Sequence, residues 1–134
     1  MANPTPEGET FEIHVIGVAT GQLWPGKFRA KALMTFREQM AADKMRREFT
    51  GPDVVDSDIF AQATILSELA FKLTETPEWW KTAGNGLDLK DPNVLKEVYD
   101  GVKKIEKAHF DKLKAAAEAS RGAVKAELEK PPTA

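Results

Sequence analysis

The sequence predicts an α+β domain, mainly α, in which an N-terminal β-hairpin packs on a bundle of three or four helices. Three observations carry this expectation. Phe11, Ile13 and Val15 alternate with Glu12 and His14, the period of a half-buried strand. Between residues 36 and 113 the apolar side chains recur at steps of three and four, the period of helices with one wet face. Asp91 followed by Pro92 is a helix start, a capping side chain ahead of a proline suited to the first turn.

Residues 1–10 carry two prolines and a glycine and, after Met1, no large side chain. They are expected to form a flexible arm, ahead of one globular domain over residues 11–113. The strand beginning at Phe11 should run for about 8 residues. A turn at 19–22 leads to a second strand, where Phe28, Ala30 and Ala32 oppose Lys27, Arg29 and Lys31 across two faces. A lone hairpin is marginal in water, so its apolar face must pack on helices.

Thr35 and Glu38 have the spacing of a capping box and open the first helix, whose apolar positions are Phe36, Met40, Met45 and Phe49. Gly51 and Pro52 stop it. The second helix should open at Asp56 or Ser57 and run to Thr74. Its stripe Ile59, Ala63, Leu66, Ala70 and Leu73, widened by Phe60, Ile65 and Leu69, predicts a largely buried helix. Pro77 then starts a short helix holding Trp79 and Trp80, before a reversal at 83–86. The last helix follows Asp91 through Leu95, Val98, Val102, Ile105, His109 and Leu113. Beyond it, residues 114–134 form helix by propensity but offer few apolar anchors and contain Gly122, so an extended or frayed helix and tail are expected there.

With 134 residues the chain can bury a real core as one domain. A net charge of −2 favours neither nucleic acid nor an anionic membrane as partner. The absence of cysteine excludes disulfides, thiolate metal sites and cysteine nucleophiles, and suits a reducing cytoplasm. No stretch has the length and hydropathy of a membrane span, and the N-terminus lacks the pattern of a secretion signal.

Catalytic and cofactor chemistry finds little support. Glu106 and His109 form the Glu-x-x-His half of a di-iron site, but the second half is missing. Asp53, Asp56 and Asp58 lack the glycine and glutamate of a calcium loop and read as helix capping. Gly84 and Gly86 make a turn rather than a phosphate loop. Two histidines in different elements give no serine or threonine a positioned base. The chain is therefore expected to be no enzyme and to need no cofactor.

Two constellations point to binding. Trp79 and Trp80 are adjacent, so on a helix they lie about 100° apart and are not expected to bury against the same surface. They either close a core beneath the turn or anchor an interface, and Trp24 carries the same two readings. Lys27, Arg29 and Lys31 share a strand face, with Lys44, Arg46 and Arg47 on the next helix, and the two groups could adjoin. They form either a solvated face, diluted by Glu38, Asp43 and Glu48, or a dock for an acidic protein segment. Nucleic acid fits less well, because no aromatics interleave with these charges.

The order WPGKFRAKALMT, RREFTGPD, TPEWW and NGLDLKDPNVLKEVYDGVKKIEKAHF resembles the tail assembly chaperones of long, non-contractile-tailed bacteriophages, over residues 11–113. Its sharpest parts are Gly26 to Phe28, the Arg-Arg and Gly-Pro that close the first helix, and Pro-x-Trp-Trp followed by Asp-x-Asn-Val-Leu. The resemblance implies a non-enzymatic factor in the host cytoplasm, absent from the mature virion, that coats the tape measure protein and recruits tail tube subunits. The tube protein is met by a longer, frameshifted form in such systems, and this chain corresponds to the short form. A common slip sequence encodes Gly-Lys, whereas the sole Gly-Lys here is Gly26-Lys27. Trp79, Trp80 and the neighbouring helix face are then candidates for the tape-measure surface, with the basic strand face as a second contact. Coating a long partner also invites self-association. The alternatives are a head-tail completion or other structural tail protein, and a small host regulatory adaptor.

Overall fold

The structure, a computed structural model, describes residues 7–53 and 56–128. Its elements follow in the order β1 (Glu9–Ile16), β2 (Leu23–Ala30), α1 (Phe36–Thr50), α2 (Ser57–Lys72), β3 (Leu73–Glu75), α3 (Glu78–Thr82) and α4 (Pro92–Leu128). The architecture is the α+β, mainly helical one expected. β1 and β2 form an antiparallel hairpin in register from Glu9 opposite Ala30 to Ile16 opposite Leu23. β3 adds a short antiparallel edge beside β2, giving the sheet order β1-β2-β3.

Several boundaries differ from the expectation. Glu9 and Thr10 already belong to β1, and the Glu7 carbonyl accepts a hydrogen bond from the Thr74 hydroxyl. The expected arm therefore has structure from Glu7 onward, and residues 1–6 lie outside the described residues. The second strand ends at Ala30, so Lys31 and Ala32 lie past its end. The second helix stops at Lys72 because the next three residues are drawn into the sheet as β3, where Leu73 faces Ala30 and Glu75 faces Arg29. α4 continues unbroken through Gly122 to Leu128, with residues 129–134 outside the described part.

The core is one layer between the sheet and the helices. Ile13, Phe28 and Ala30 of the strands meet Leu69 of α2, Trp80 of α3 and Val94, Val98 and Val102 of α4. Val94, Val98 and Val102 recur at one helical turn, which sets the face of α4 turned inward. Gly101 lets β1 come close, since a Cβ there would stand 2.4 Å from the Phe11 ring. The helical glycine is therefore a packing requirement, which outweighs its helix-propensity cost of about 1 kcal/mol.

α1 contributes nothing to that core. The Thr35 hydroxyl accepts from the Glu38 amide while the Glu38 carboxylate accepts from the Thr35 amide, the expected capping box. The helix ends at Gly51 as expected. It packs on α2, and Ala42 is its one buried residue. The expected burial of α2 is also partial: Ala63, Ser67, Leu69 and Lys72 are buried, but Ile59 and Phe60 are exposed. The first half of α2 and all of α1 form a helical hairpin beside the body, which is why the broad apolar stripe is only half used.

A ring of charges ties α2 to α4. The Lys72 ammonium lies 2.8 Å from Glu68 and 2.7 Å from Glu106, and Lys103 reaches the same two carboxylates at 3.2 and 3.1 Å. Burial pushes the Glu106 carboxyl up, but the two lysines outweigh it and hold it below its usual range. Glu106, one member of the Glu-x-x-His pair, is thus committed to ion pairs.

Candidate functional site

Trp80, Trp79 and Trp24 converge on Phe28. Trp80 is only 1% exposed and meets the Phe28 ring edge-on at 5.6 Å, while Trp79 meets it edge-on at 5.9 Å. The adjacent tryptophans thus do bury against one surface, contrary to the expectation from their angular separation. α3 has only five residues and sits over Phe28, so its two large rings straddle one side chain. Trp24 packs on Trp79 with centroids 4.8 Å apart. Both half-buried indoles spend their donors internally: Trp79 Nε1 donates to the Pro25 carbonyl at 2.7 Å and Trp24 Nε1 to Asp91 Oδ2 at 2.9 Å. Trp80 is thus a core side chain, and Trp79 and Trp24 cover it half-buried.

Asp91 is the polar centre of that cluster. Its side chain is expected to cap α4; instead it accepts from the Ala19 and Thr20 amides, the Thr20 hydroxyl and the Trp24 indole. Its backbone carbonyl still accepts from the Val94 amide. Asn93 completes the grip, accepting from the Val18 amide and donating to the Ile16 carbonyl. Gly17 is needed for this approach, because a Cβ there would lie 2.0 Å from the Asp91 carboxylate.

The Thr20 hydroxyl, against the effect of burial and with help from the Trp24 indole and the turn amides, lowers the Asp91 pKa to about 2. Because the folded value is depressed, the stabilisation is present above the unfolded value near pH 4 and fades as pH falls toward 2. Asp91→Asn should therefore lower stability at neutral pH and flatten the loss between pH 4 and 2. Urea midpoints at pH 7, 4, 3 and 2 would measure this, and equal pH slopes for the two proteins would contradict it.

The basic residues do not assemble into one patch. Lys27 projects from the outer face of β2 without an ion pair among the described residues. Arg29, two residues on, is paired with Glu75 and donates to the Gly8 carbonyl. Lys31, past the strand end, is paired with Glu38 near the start of α1. Arg46 and Arg47 both reach Asp43, and Arg46 lies over the Phe60 ring at 4.7 Å. Eight residues separate Arg46 from Glu38, about 12 Å along the helix, so the two basic groups stay apart. Most of this charge is spent within the fold.

Exposed apolar side chains lie at the β1–β2 turn (Ile16, Val18, Leu23), on α4 (Phe110, Leu113) and, in the longest run, on the helical hairpin. Phe36 is 80% and Met40 72% exposed, one helical turn apart on α1, with exposed Leu33 just ahead of them. Phe36, Gln39, Met40, Asp43 and Arg47 line a shallow groove along this face. Farther along the hairpin, Phe49, Ile59 and Phe60 are also exposed. The sequence signal for these residues is their helical spacing, which gives the face they share but not whether the fold covers it.

Comparison with protein-family models, with curated proteins and with solved structures returns no match. Among the described residues, no helix is long and apolar enough to cross a membrane.

Proposed function

We propose that the chain is a non-enzymatic phage tail assembly chaperone, the short form of its pair, that holds the tape measure protein in the host cytoplasm and is left out of the mature virion. The observation that carries this reading is the uncovered apolar face of α1, centred on Phe36 and Met40. Such a face suits an amphipathic helix laid across it. Arg37 and Lys44 beside it favour acidic residues at the rim of the partner helix. The resemblance in sequence names that helix as the tape measure, which needs cover until tube subunits enclose it. Tube subunits are then met through the longer, frameshifted form. Trp80 is taken up by the core, so the proposed contact lies on the helical hairpin and not on that side chain.

The test is to tag the chain in phage-producing cells, isolate its complexes before lysis and examine purified particles for it. Tape measure protein should be recovered, with none of the chain in virions. Phe36→Glu and Met40→Glu should each weaken recovery by about tenfold or more, as central apolar anchors do, while leaving the melting temperature nearly unchanged because both side chains are exposed. The chain in virions would make it a structural tail or head-tail completion protein. Recovery of host proteins alone would make it a regulatory adaptor.

A further inference from the structure

A groove distinct from the one along α1 lies between α2 and the start of α4, with the loop over residues 86–90 beside it. Its volume is about 490 Å³, and its apolar lining is Ile65 and Leu66 from α2, Leu87 and Leu89 from the loop, and Leu95 and Tyr99 from α4. Ile65, Leu89, Leu95 and Tyr99 pack on the core and are only half-buried, so the fold uses one side of each. Leu87 is 50% exposed.

The accessible charge of this lining has one sign. Lys90 has no ion pair among the described residues, and Lys96 is held by Asp100 at 2.9 Å in an exposed pair that water screens. Asp100 does not line the groove. Asp91 does, but it is 1% exposed, and its oxygens are taken by the Ala19 and Thr20 amides, the Thr20 hydroxyl and the Trp24 indole. An occupant therefore meets the ammonium groups of Lys90 and Lys96 and no free carboxylate of the lining. A second copy suits this poorly, because its exposed α1 face carries Arg37 and Lys44 beside Phe36 and Met40.

The walls also set the conformation of what enters. The backbone groups of α2 and α4 are spent along their own helices, and the amides of Leu87, Asp88 and Leu89 donate to the carbonyls of Gly84, Ala83 and Gly86. With so few main-chain partners on offer, an incoming segment must satisfy its own backbone, which a helix does and a strand does not. The groove follows α4 from Pro92 to Tyr99, about 10 Å along the axis, which is the span of apolar anchors at i, i+4 and i+7. We propose that this groove receives an amphipathic helix of a partner protein, with its apolar stripe seated between α2 and α4 and carboxylates on its flank against Lys90 and Lys96. It is a second contact, separate from the face of α1.

A helix-stabilised synthetic peptide with leucine at i, i+4 and i+7 and glutamate along one flank tests this. The full chain is used with Phe36→Glu, which removes the α1 face from competition. The peptide should bind saturably and shift the NMR signals of Leu66, Leu87, Leu89 and Leu95. Replacing its glutamates with lysine should weaken binding on the order of tenfold or more, because like charges then meet. Leu87→Glu should weaken it comparably, and so should Lys90→Glu with Lys96→Glu. All three side chains are exposed, so the melting temperature should hold. The proposal is overturned by a lack of saturable binding, by equal binding of the lysine peptide, by binding that survives both variants, or by shifts that map elsewhere. It is equally overturned if the signals of those leucines shift in the free chain as its concentration rises, because the occupant would then be a second copy.

Discussion

Trp80→Ala is expected to cost about 3–5 kcal/mol, the range for removing a large aromatic side chain from a packed core. Three features place it there. The ring is 1% exposed, it meets both Phe28 and Trp79 edge-on, and a Cβ on Gly86 would fall 2.7 Å from its outer edge, so the surrounding backbone is fitted to the indole. α3 has no second buried residue to hold it in place. With total stability of a domain near 5–15 kcal/mol, the variant should be partly unfolded at 37 °C. Urea denaturation monitored by far-ultraviolet circular dichroism measures the loss. Trp79→Ala should cost less, because that ring is half-buried. Equal costs would mean that the two tryptophans do not divide into a core residue and a covering one.

Lys72→Met is the second large effect, expected at about 3 kcal/mol, because it removes one partner from a buried ion network and leaves two carboxylates sharing Lys103. The side chain of Lys72 is 7% exposed, so water does not replace the lost ammonium. The companion test is Lys72→Met with Glu106→Leu. That double substitution leaves the Glu68–Lys103 pair intact, and it should recover at least about half of the loss, since an apolar pair of similar volume often replaces a buried ion pair without penalty. A double-mutant cycle in urea measures the coupling. Strictly additive costs would show that Lys72 and Glu106 act independently, contrary to their 2.7 Å contact.

Local signals were legible in the sequence wherever one element determined its own geometry. The capping box at Thr35, the stop at Gly51 and the capping by Asp56, which accepts from the Asp58 amide, required only neighbouring residues. β3 was not legible, because Leu73 continues the apolar stripe of α2 and a three-residue strand has too few positions to show a period of two. The use of Asp91 was also hidden: Asp-Pro-Asn reads as a helix start, and its acceptors are claimed by a turn some seventy residues earlier in the chain. Gly17 was the counterpart of that contact, but a glycine in a turn has too many local uses to identify a distant carboxylate.

The candidate site was less legible than the fold for a related reason. Periodicity identifies the apolar face of a helix but not what covers it, so Phe36 and Met40 looked like core positions and are exposed. The converse holds for the aromatic pair. Adjacent positions on a helix diverge in angle, but the rings of Trp79 and Trp80 are large enough for both to reach Phe28. Arg29 and Lys31 resembled a basic docking face because their partners, Glu75 and Glu38, come from elements whose placement depends on the whole fold.

α1 is seated on α2, outside the layer built on Phe28 and Trp80, and is tied to the end of β2 by the Lys31–Glu38 ion pair. With few buried contacts of its own, the helical hairpin is expected to open and reclose at a free energy below that of global unfolding. Backbone amides within α1 should therefore exchange with solvent through this partial opening, while those around Val98 wait for complete denaturation. A partner bound along Phe36 and Met40 would close that gap, so its arrival would be recorded as rigidity gained by the hairpin even where no atom of the body moves.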